Sequence, residues 1–475
     1  MKRNLIILGN GFDLSTDKKI DSTFKGFINS YYNDAYKICN RLIQLIESLT
    51  EDDIPKTRED LLSILKNGTV NKDSCNELIE LIDKIYYENL NFNIWIIYCL
   101  LHNKYGCNWS DIEFQISQSM NYINKNDTLE NGFNDKWISG IFTLLSENTN
   151  FPLEGDNQNK NDYKKNIYLL CFSFIFKRNF EAISCIYHNE SSKITNRLSK
   201  FLIGELNNLE INFNFYLLEQ LSKADSAKNK AHEYIKFMSN NINNLIINFN
   251  YTDLILNNEI NNVFHIHGEL ISEEQIVKRF NDDITSICMT SSETIENITN
   301  SNNFIGDIYN NMSPLDKKKF SEDMDKLFRN HLIIGIKPNN PPIFYDDKDL
   351  TSTLNKLSKY TRTKEFNLYS EFKNILNKSD FNSISFFGHS LSEIDYDYFF
   401  EIFDSVGLDK SYNINMTFYY KLHSPSKSHQ DVIDQFKNSI FKMLLKYTRG
   451  QEKFLNNIIN NLISIGKISF KEIKQ

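Results

Sequence analysis

The 475-residue chain reads as an α/β protein built on a parallel sheet, with a large helical insertion and a helical C-terminal tail. Three observations predict this. The apolar run Leu5-Ile6-Ile7-Leu8 is cut off by Gly9-Asn10-Gly11, as expected of a strand buried on both faces that turns abruptly into a loop. Apolar residues then recur at helical spacing for some 200 residues, roughly one every third or fourth position. After position 244 short β-prone runs return, each ending near Gly, Asn or His.

The helical block carries its periodicity in Ile38, Cys39, Leu42, Ile43, Leu45 and Ile46, and again in Leu78, Ile79, Leu81, Ile82 and Ile85. An Asn-rich polar stretch at 148–165, with Pro152 and Gly155, predicts an exposed loop inside it. The returning runs are Leu245-Ile246-Ile247, Val263-Phe264-His265-Ile266, Leu332-Ile333-Ile334 and Ile384-Ser385-Phe386-Phe387. Residues 291–325 and the Pro-rich 337–342 read as surface excursions between them. Residues 432–468 are helical by spacing, interrupted at Gly450. The resulting division is a discontinuous nucleotide-binding domain at 1–25 and 241–425, a helical domain at 26–240, and a helical tail at 426–475.

Composition narrows the function classes. Apolar residues make up 41% of the chain and aromatic residues 13%, enough for sizeable cores. The net charge of −8 supplies no global positive field, so there is no strong nucleic-acid signature, and the run Lys317-Lys318-Lys319 reads as a solvated helix face. Seven scattered cysteines without a Cys-x-x-Cys pair point to a reducing compartment and against a zinc ribbon. The opening MKRNLIIL breaks at Gly9 without a cleavage site, and the longest apolar stretch, 167–176, is about half the roughly 20 residues of a membrane span. The expectation is a cytoplasmic protein without a membrane segment.

Five motifs fall where ligands collect, at the carboxyl ends of strands, or within the helical block. Gly9-Asn10-Gly11-Phe12-Asp13 follows the first strand, and its glycines let backbone approach a phosphate or merely turn. Asn248-Phe249-Asn250-Tyr251-Thr252-Asp253 ends the second run, where Asn and Asp also suit plain turn chemistry. His265-Ile266-His267-Gly268 puts two histidines on one face at period 2. No third ligand stands at metal spacing, so no metal is expected. Gly388-His389-Ser390-Leu391-Ser392-Glu393-Ile394-Asp395 ends the last run, with Ser390, Ser392, Glu393 and Asp395 all suited to starting a helix. In Trp109-Ser110-Asp111-Ile112-Glu113, Ser110 and Glu113 fit a capping box, leaving Asp111 and Glu113 as additional site candidates beside Asp395.

In sequence and order, GNGFD, WSDIE, FNYTD, HIHG and GHSLSEIDYDYF resemble the bacteriophage abortive infection AbiH family. That family in turn resembles the sirtuin-like superfamily of NAD-binding, Rossmann-like domains. The resemblance implies that Gly9, Asn10, Gly11 and Phe12 cradle the pyrophosphate of NAD+, with Asp13 at ribose hydroxyls and Gly388, His389 and Ser390 at the adenosine half. Asn250 would orient the attacking water, His267 would serve as base or bind the ribose, and Asp253 would orient one of them; His265 stands between a core and a ligand role. Asp13 stands where such loops usually carry Ser, and His389 where they carry Thr. The zinc cysteines of true sirtuins are missing, which argues against protein deacetylation. The Gly-Leu-Pro that usually follows the first AbiH motif is replaced by residues around Lys18, Lys19 and Asp21.

The implied activity is NAD+ glycohydrolysis as an anti-phage effector, with NAD+ as substrate and a phage-derived trigger or partner protein. The helical insertion and tail are the candidates for sensing or for homo-oligomer formation. Two alternatives stay open: a nucleotide-sensing module without turnover, and a metal-dependent nuclease or nucleotide hydrolase using Asp111, Glu113, Asp253 and the histidines.

Overall fold

The computed structural model describes residues 3–16, 20–67, 76–87, 93–102, 194–224, 226–239, 243–252, 254–255, 261–268, 270, 368–408, 414–422, 428–449 and 466–473, with isolated positions in 167–175 and 456–462. Asp111, Glu113 and Asp253 lie outside the described residues, as do the loops expected at 148–165, 291–325 and 337–342 and the strand expected at 332–334.

Six parallel strands form one sheet in the order β3-β2-β1-β4-β5-β6. They are β1 (Arg3–Leu8), β2 (Asn244–Asn248), β3 (Asn261–His265), β4 (Phe381–Phe387), β5 (Asn415–Tyr420) and β6 (Ile468–Glu472). This order is that of doubly wound sheets, in which the chain leaves the central strand pair in opposite directions. Every described element between β1 and β2 is a helix: α1 (Asn10–Thr16), α2 (Phe24–Tyr31), α3 (Asn33–Ser48), α4 (Asp53–Asn67), α5 (Asn76–Tyr87), α6 (Ile94–His102), α7 (Ile194–Ser222) and α8 (Ala227–Ser239). Three more follow: α9 (Leu368–Asn377) before β4, α10 (Tyr396–Ser405) before β5, and α11 (His429–Tyr447) before β6.

Period-2 alternation divides the central strands between two cores. Leu5 and Ile7, Leu245 and Ile247, Ile384 and Phe386, and Met416 and Phe418 face one side, under Phe372 of α9, Phe399 and Phe403 of α10, and Met443 and Leu444 of α11. Ile6, Leu8, Ile246, Phe387 and Tyr419 face the other, under Phe12 of α1 and Ala231, Tyr234, Ile235 and Met238 of α8. A sheet covered on both faces needs strands apolar at every position, which explains the unbroken runs of β1 and β2. A third core joins α2 to α7 through Phe27, Tyr32, Leu42, Phe213 and Tyr216, and takes in Tyr251 from beyond β2. Burial there pushes the Cys39 thiol up to about 12, so it is unreactive at neutral pH.

Capping explains where several helices start. The Thr23 hydroxyl accepts the Gly26 N–H at 3.1 Å ahead of α2, while Ser428 and Asp431 exchange side-chain and backbone bonds in a capping box ahead of α11.

Two expectations are corrected. The tail at 426–475 is not wholly helical, because Ile468–Glu472 forms β6, paired in parallel with β5. Helical spacing fails there at Gly466, whose φ of +66° suits a chain reversal that other residues resist. The strand Ile-Ser-Phe-Lys-Glu is only half-buried, as a sheet edge requires. The second correction concerns GNGFD: Gly9 alone forms the turn, and Asn10 already opens α1.

Candidate functional site

The switch point of the sheet lies between β1 and β4, where α1 departs toward one face and α10 toward the other. Ligands of open α/β sheets bind outside the carboxyl ends of the strands at such a point. Here those ends carry Gly9–Asp13, Asn248–Thr252, His265–Gly268 and Gly388–Asp395 side by side, bringing four of the five motifs together.

The glycines are explained first by backbone contact. Gly11 N–H donates to the Gly388 carbonyl at 2.8 Å, Gly9 N–H to the Phe387 carbonyl at 3.1 Å, and Phe12 N–H to the Gly9 carbonyl at 2.8 Å. A Cβ on Gly388 would lie 2.1 Å from the Phe12 nitrogen, and one on Gly9 2.5 Å from the His389 Cα. Gly388 also sits at φ +73°. The two loops therefore interlock at a separation only hydrogen atoms permit. Asn10 and Ser390 are exposed at the rim, so they are the members of these loops open to a ligand.

Beneath the glycine loop Asp13 points inward and is 1% exposed. One carboxylate oxygen accepts the Asn250 amide N–H at 3.0 Å, and the other accepts the Thr252 hydroxyl at 2.7 Å. Burial pushes the Asp13 carboxyl up to about 7, against the pull of those two donors. Asn248 builds the loop that presents them: its side-chain oxygen accepts the Asn250 backbone N–H at 3.0 Å, and its amide donates to the Thr252 carbonyl at 3.0 Å. This is an Asx-type turn, so Asn248 shapes the loop while Asn250 stays available. Asn250 is fully buried, and its Oδ1 has no hydrogen-bond partner among the described residues.

The two histidines part company. His265 closes β3 and meets the Asn248 amide through Nδ1 at 3.3 Å. His267 lies in the turn beyond, 2% exposed, with Nε2 3.4 Å from Asp395 Oδ1. Gly268, at φ +83°, turns the chain away. His389 approaches the other oxygen of the same carboxylate, Nε2 to Oδ2 at 3.6 Å. The Leu391 N–H donates to His389 Nδ1 at 2.9 Å, which fixes the ring's proton on the Nε2 facing Asp395 when the ring is neutral. Leu391 holds that position at φ +54°, a left-handed conformation costing a leucine about 1–2 kcal/mol, so the loop is strained beside the cluster. Asp395 stands at the start of α10 but makes no capping bond there; its carboxylate serves the two histidines instead.

Aromatic rings bind these groups into one unit. Phe249 packs edge-on against both His267 and His389, with centroids 5.5 and 4.6 Å apart, and Tyr251 and Tyr398 lie 6.0 and 5.7 Å from His267. Both chain neighbours of Asn250 therefore touch the His267 ring. Sequence reasoning singled out Asn250, His267, Asp13, His389 and Asp395, but missed Thr252, Asn248 and the aromatic ring set. The Asx turn was the signal for Asn248; nothing local distinguishes Thr252.

The chain is thus an α/β protein with a parallel sheet whose carboxyl edge, at the switch point, gathers a buried amide, a buried carboxylate and an Asp-linked pair of histidines. Residues 5–420 match the family model for bacteriophage abortive infection AbiH, and the chain belongs to that family. No curated protein and no solved structure matches it. Among the described residues no helix is long and apolar enough to cross a membrane.

Proposed function

We infer that the chain is an anti-phage effector that hydrolyses NAD+ at the bond between nicotinamide and ribose. The observation that carries this reading is that Asn250 and His267 stand at adjacent strand ends, with both chain neighbours of Asn250 packed on the His267 ring, next to the interlocked glycine loops of the switch point. The strand order and these loops support a Rossmann-like, sirtuin-like domain for a dinucleotide. Asn10, exposed where α1 begins, borders the pyrophosphate, with Gly9, Gly11 and Phe12 shaping the loop behind it, and Ser390, carried by Gly388 and His389, borders the adenosine half.

The reaction demands little acid–base chemistry. The nicotinamide of NAD+ is already a cationic pyridinium and departs neutral with the bonding pair, so it needs no general acid, only a secluded site that favours a positive ribose. Asn250 hydrogen-bonds the attacking water or a ribose hydroxyl. Asp395, near Nε2 of His267, favours the proton on that nitrogen and leaves the basic lone pair on Nδ1, which takes the water's proton. The negative carboxylate also stabilises the imidazolium that forms. A phage-derived component releases the activity, and the helices α2 to α7 are the region that would sense it.

The test is nicotinamide release from NAD+ by purified protein in the presence of chelator, beside Asn250→Ala and His267→Ala. Each variant is expected to lose about 10²–10⁴-fold in rate. Saturable NAD+ binding without release at any protein concentration would leave a nucleotide-sensing module, and release that chelator abolishes would leave a metal-dependent hydrolase.

A further inference from the structure

Asn250 is an ambivalent group: its amide can present either an NH2 or a carbonyl oxygen, and a half-turn of the side chain exchanges them. Which end meets the ligand decides whether the site recognises a donor or an acceptor. The groups around Asn250 settle the choice. Its Nδ2 donates to Asp13 Oδ1 at 3.0 Å, while its Oδ1, fully buried, has no partner among the described residues. Thr252 occupies the other oxygen of Asp13 at 2.7 Å, so the carboxylate has a donor on each side.

We propose that Asp13 is a positioning residue that clamps the Asn250 amide by its NH2 end, so that a buried carbonyl oxygen is presented and the group it meets is a hydrogen-bond donor, a water or a sugar hydroxyl. This rests on the reading of Asn250 as a site residue and assigns what it recognises. The clamp joins the first and third motifs across 237 positions of chain. A carboxylate is the right holder because it only accepts, whereas its protonated form also donates. Once protonated, Asp13 offers an O–H that the Asn250 oxygen can take after a flip, which turns the NH2 toward the ligand instead. The orientation proposed is therefore that of the ionised carboxylate, gained as pH rises through about 7.

Few charges complicate this. Tyr234 of α8 and Lys421 beyond β5 approach the same helix but bond the Ser15 carbonyl, and His265 meets the Asn248 amide.

The test compares wild type, Asp13→Ala and Asp13→Asn across pH 5.5–8.5, with two readouts. In asparagine-labelled protein the Asn250 side-chain amide is observed by NMR, assigned by its loss in Asn250→Ala. Its shift is expected to titrate in wild type, to be pH-independent in Asp13→Asn, and to move toward that of a solvent-exposed amide in Asp13→Ala. In nicotinamide release, Asp13→Ala is expected to lower kcat about 10–100-fold with a smaller change in KM, and Asp13→Asn, which keeps an accepting oxygen beside a donating NH2, to recover part of that loss. An Asn250 amide signal indifferent to Asp13→Ala overturns the clamp. So does a rate in Asp13→Asn no better than in Asp13→Ala. A wild-type protein that releases no nicotinamide overturns the proposed reaction alone, since the amide signal still decides the clamp. If Asp13→Ala does not fold, the wild-type and Asp13→Asn titrations carry the decision, and identical pH responses in the two overturn it.

Discussion

The two ends of the sheet bury polar groups in opposite ways. At the amino ends, Asn4 of β1 donates to the Met238 carbonyl at 3.4 Å and to Asn244 at 3.5 Å, and its oxygen accepts the Ser383 and Ser385 hydroxyls at 2.8 and 3.3 Å. Every member is neutral, and the bonds tie β1, β2 and β4 at fixed register. At the carboxyl ends, the Asp13 set contains a buried carboxyl and leaves the Asn250 oxygen without a partner among the described residues. A closed neutral network adds specificity at little cost, whereas an open one with an ionisable member sacrifices stability. The contrast separates a polar set that holds the fold from one that fits the ligand role proposed for Asn250.

The largest expected effect is the pH dependence of that sacrifice. Asp13 has its folded-state value raised from 3.8 to about 7, so the folded protein binds a proton that the unfolded chain has released. Stability is then fullest below about 3.8 and falls as pH rises to about 7, above which it is level, a change of roughly 4 kcal/mol. Asp13→Asn should remove this slope. Urea unfolding of both proteins from pH 4.5 to 8 isolates the contribution as their difference; parallel curves would mean that the carboxyl end is as closed as the amino end.

Next in size is the interlock of the glycine loops. Gly388→Ala puts a methyl 2.1 Å from the Phe12 nitrogen at φ +73°, and should cost about 3 kcal/mol or more. Gly466, at φ +66° with nothing within 4 Å, supplies the control: Gly466→Ala meets only the backbone term, about 1–2 kcal/mol. Thermal unfolding of the two variants separates crowding from conformation, and equal losses would remove the interlock as the reason for Gly388.

Much of this arrangement was readable along the chain, and the rest was not for definite reasons. Strands β1, β2 and β4 announced themselves because a strand covered on both faces must be apolar at successive positions. Strand β6 did not, since Ile-Ser-Phe-Lys-Glu at an edge needs only half of its residues buried. The motifs marked strand ends that the sheet brings side by side, because Gly, Asn and His are rare enough there to stand out. Their connections were invisible: Asp13 meets Asn250 and Thr252 across 237 and 239 positions, and no local pattern distinguishes an aspartate that turns inward from one that faces a ligand. Asp395 was legible as a candidate, but its partners were not: an acid before a helix equally suits a cap, and only the fold brings its carboxylate to two histidines.

At the amino end, Asn4→Ala takes an acceptor from the buried Ser385 hydroxyl and one of two from Ser383, which keeps Asn382, and should cost about 1–2 kcal/mol. Because no charge is involved, the loss should be the same at pH 5 and pH 8.5, with nicotinamide release unaltered per folded molecule. A pH-dependent loss would show that the amino-end network is coupled to an ionisable group after all.

The smallest effect discriminates most sharply. Thr252→Val keeps the shape of a fully buried side chain and deletes only the hydroxyl that donates to Asp13 Oδ2 at 2.7 Å. That bond lowers the carboxyl's pKa, so its loss moves the midpoint of the pH dependence further up from about 7. A hydrogen bond to a neutral acid contributes about 1 kcal/mol and one to a carboxylate about 2 kcal/mol, so the variant should lose about twice as much stability at pH 8.5 as at pH 5. Urea unfolding at those two pH values reads the ratio. An equal loss at both would mean that Asp13 does not change charge between them, and the carboxyl-end network would then differ from that of Asn4 in composition but not in kind.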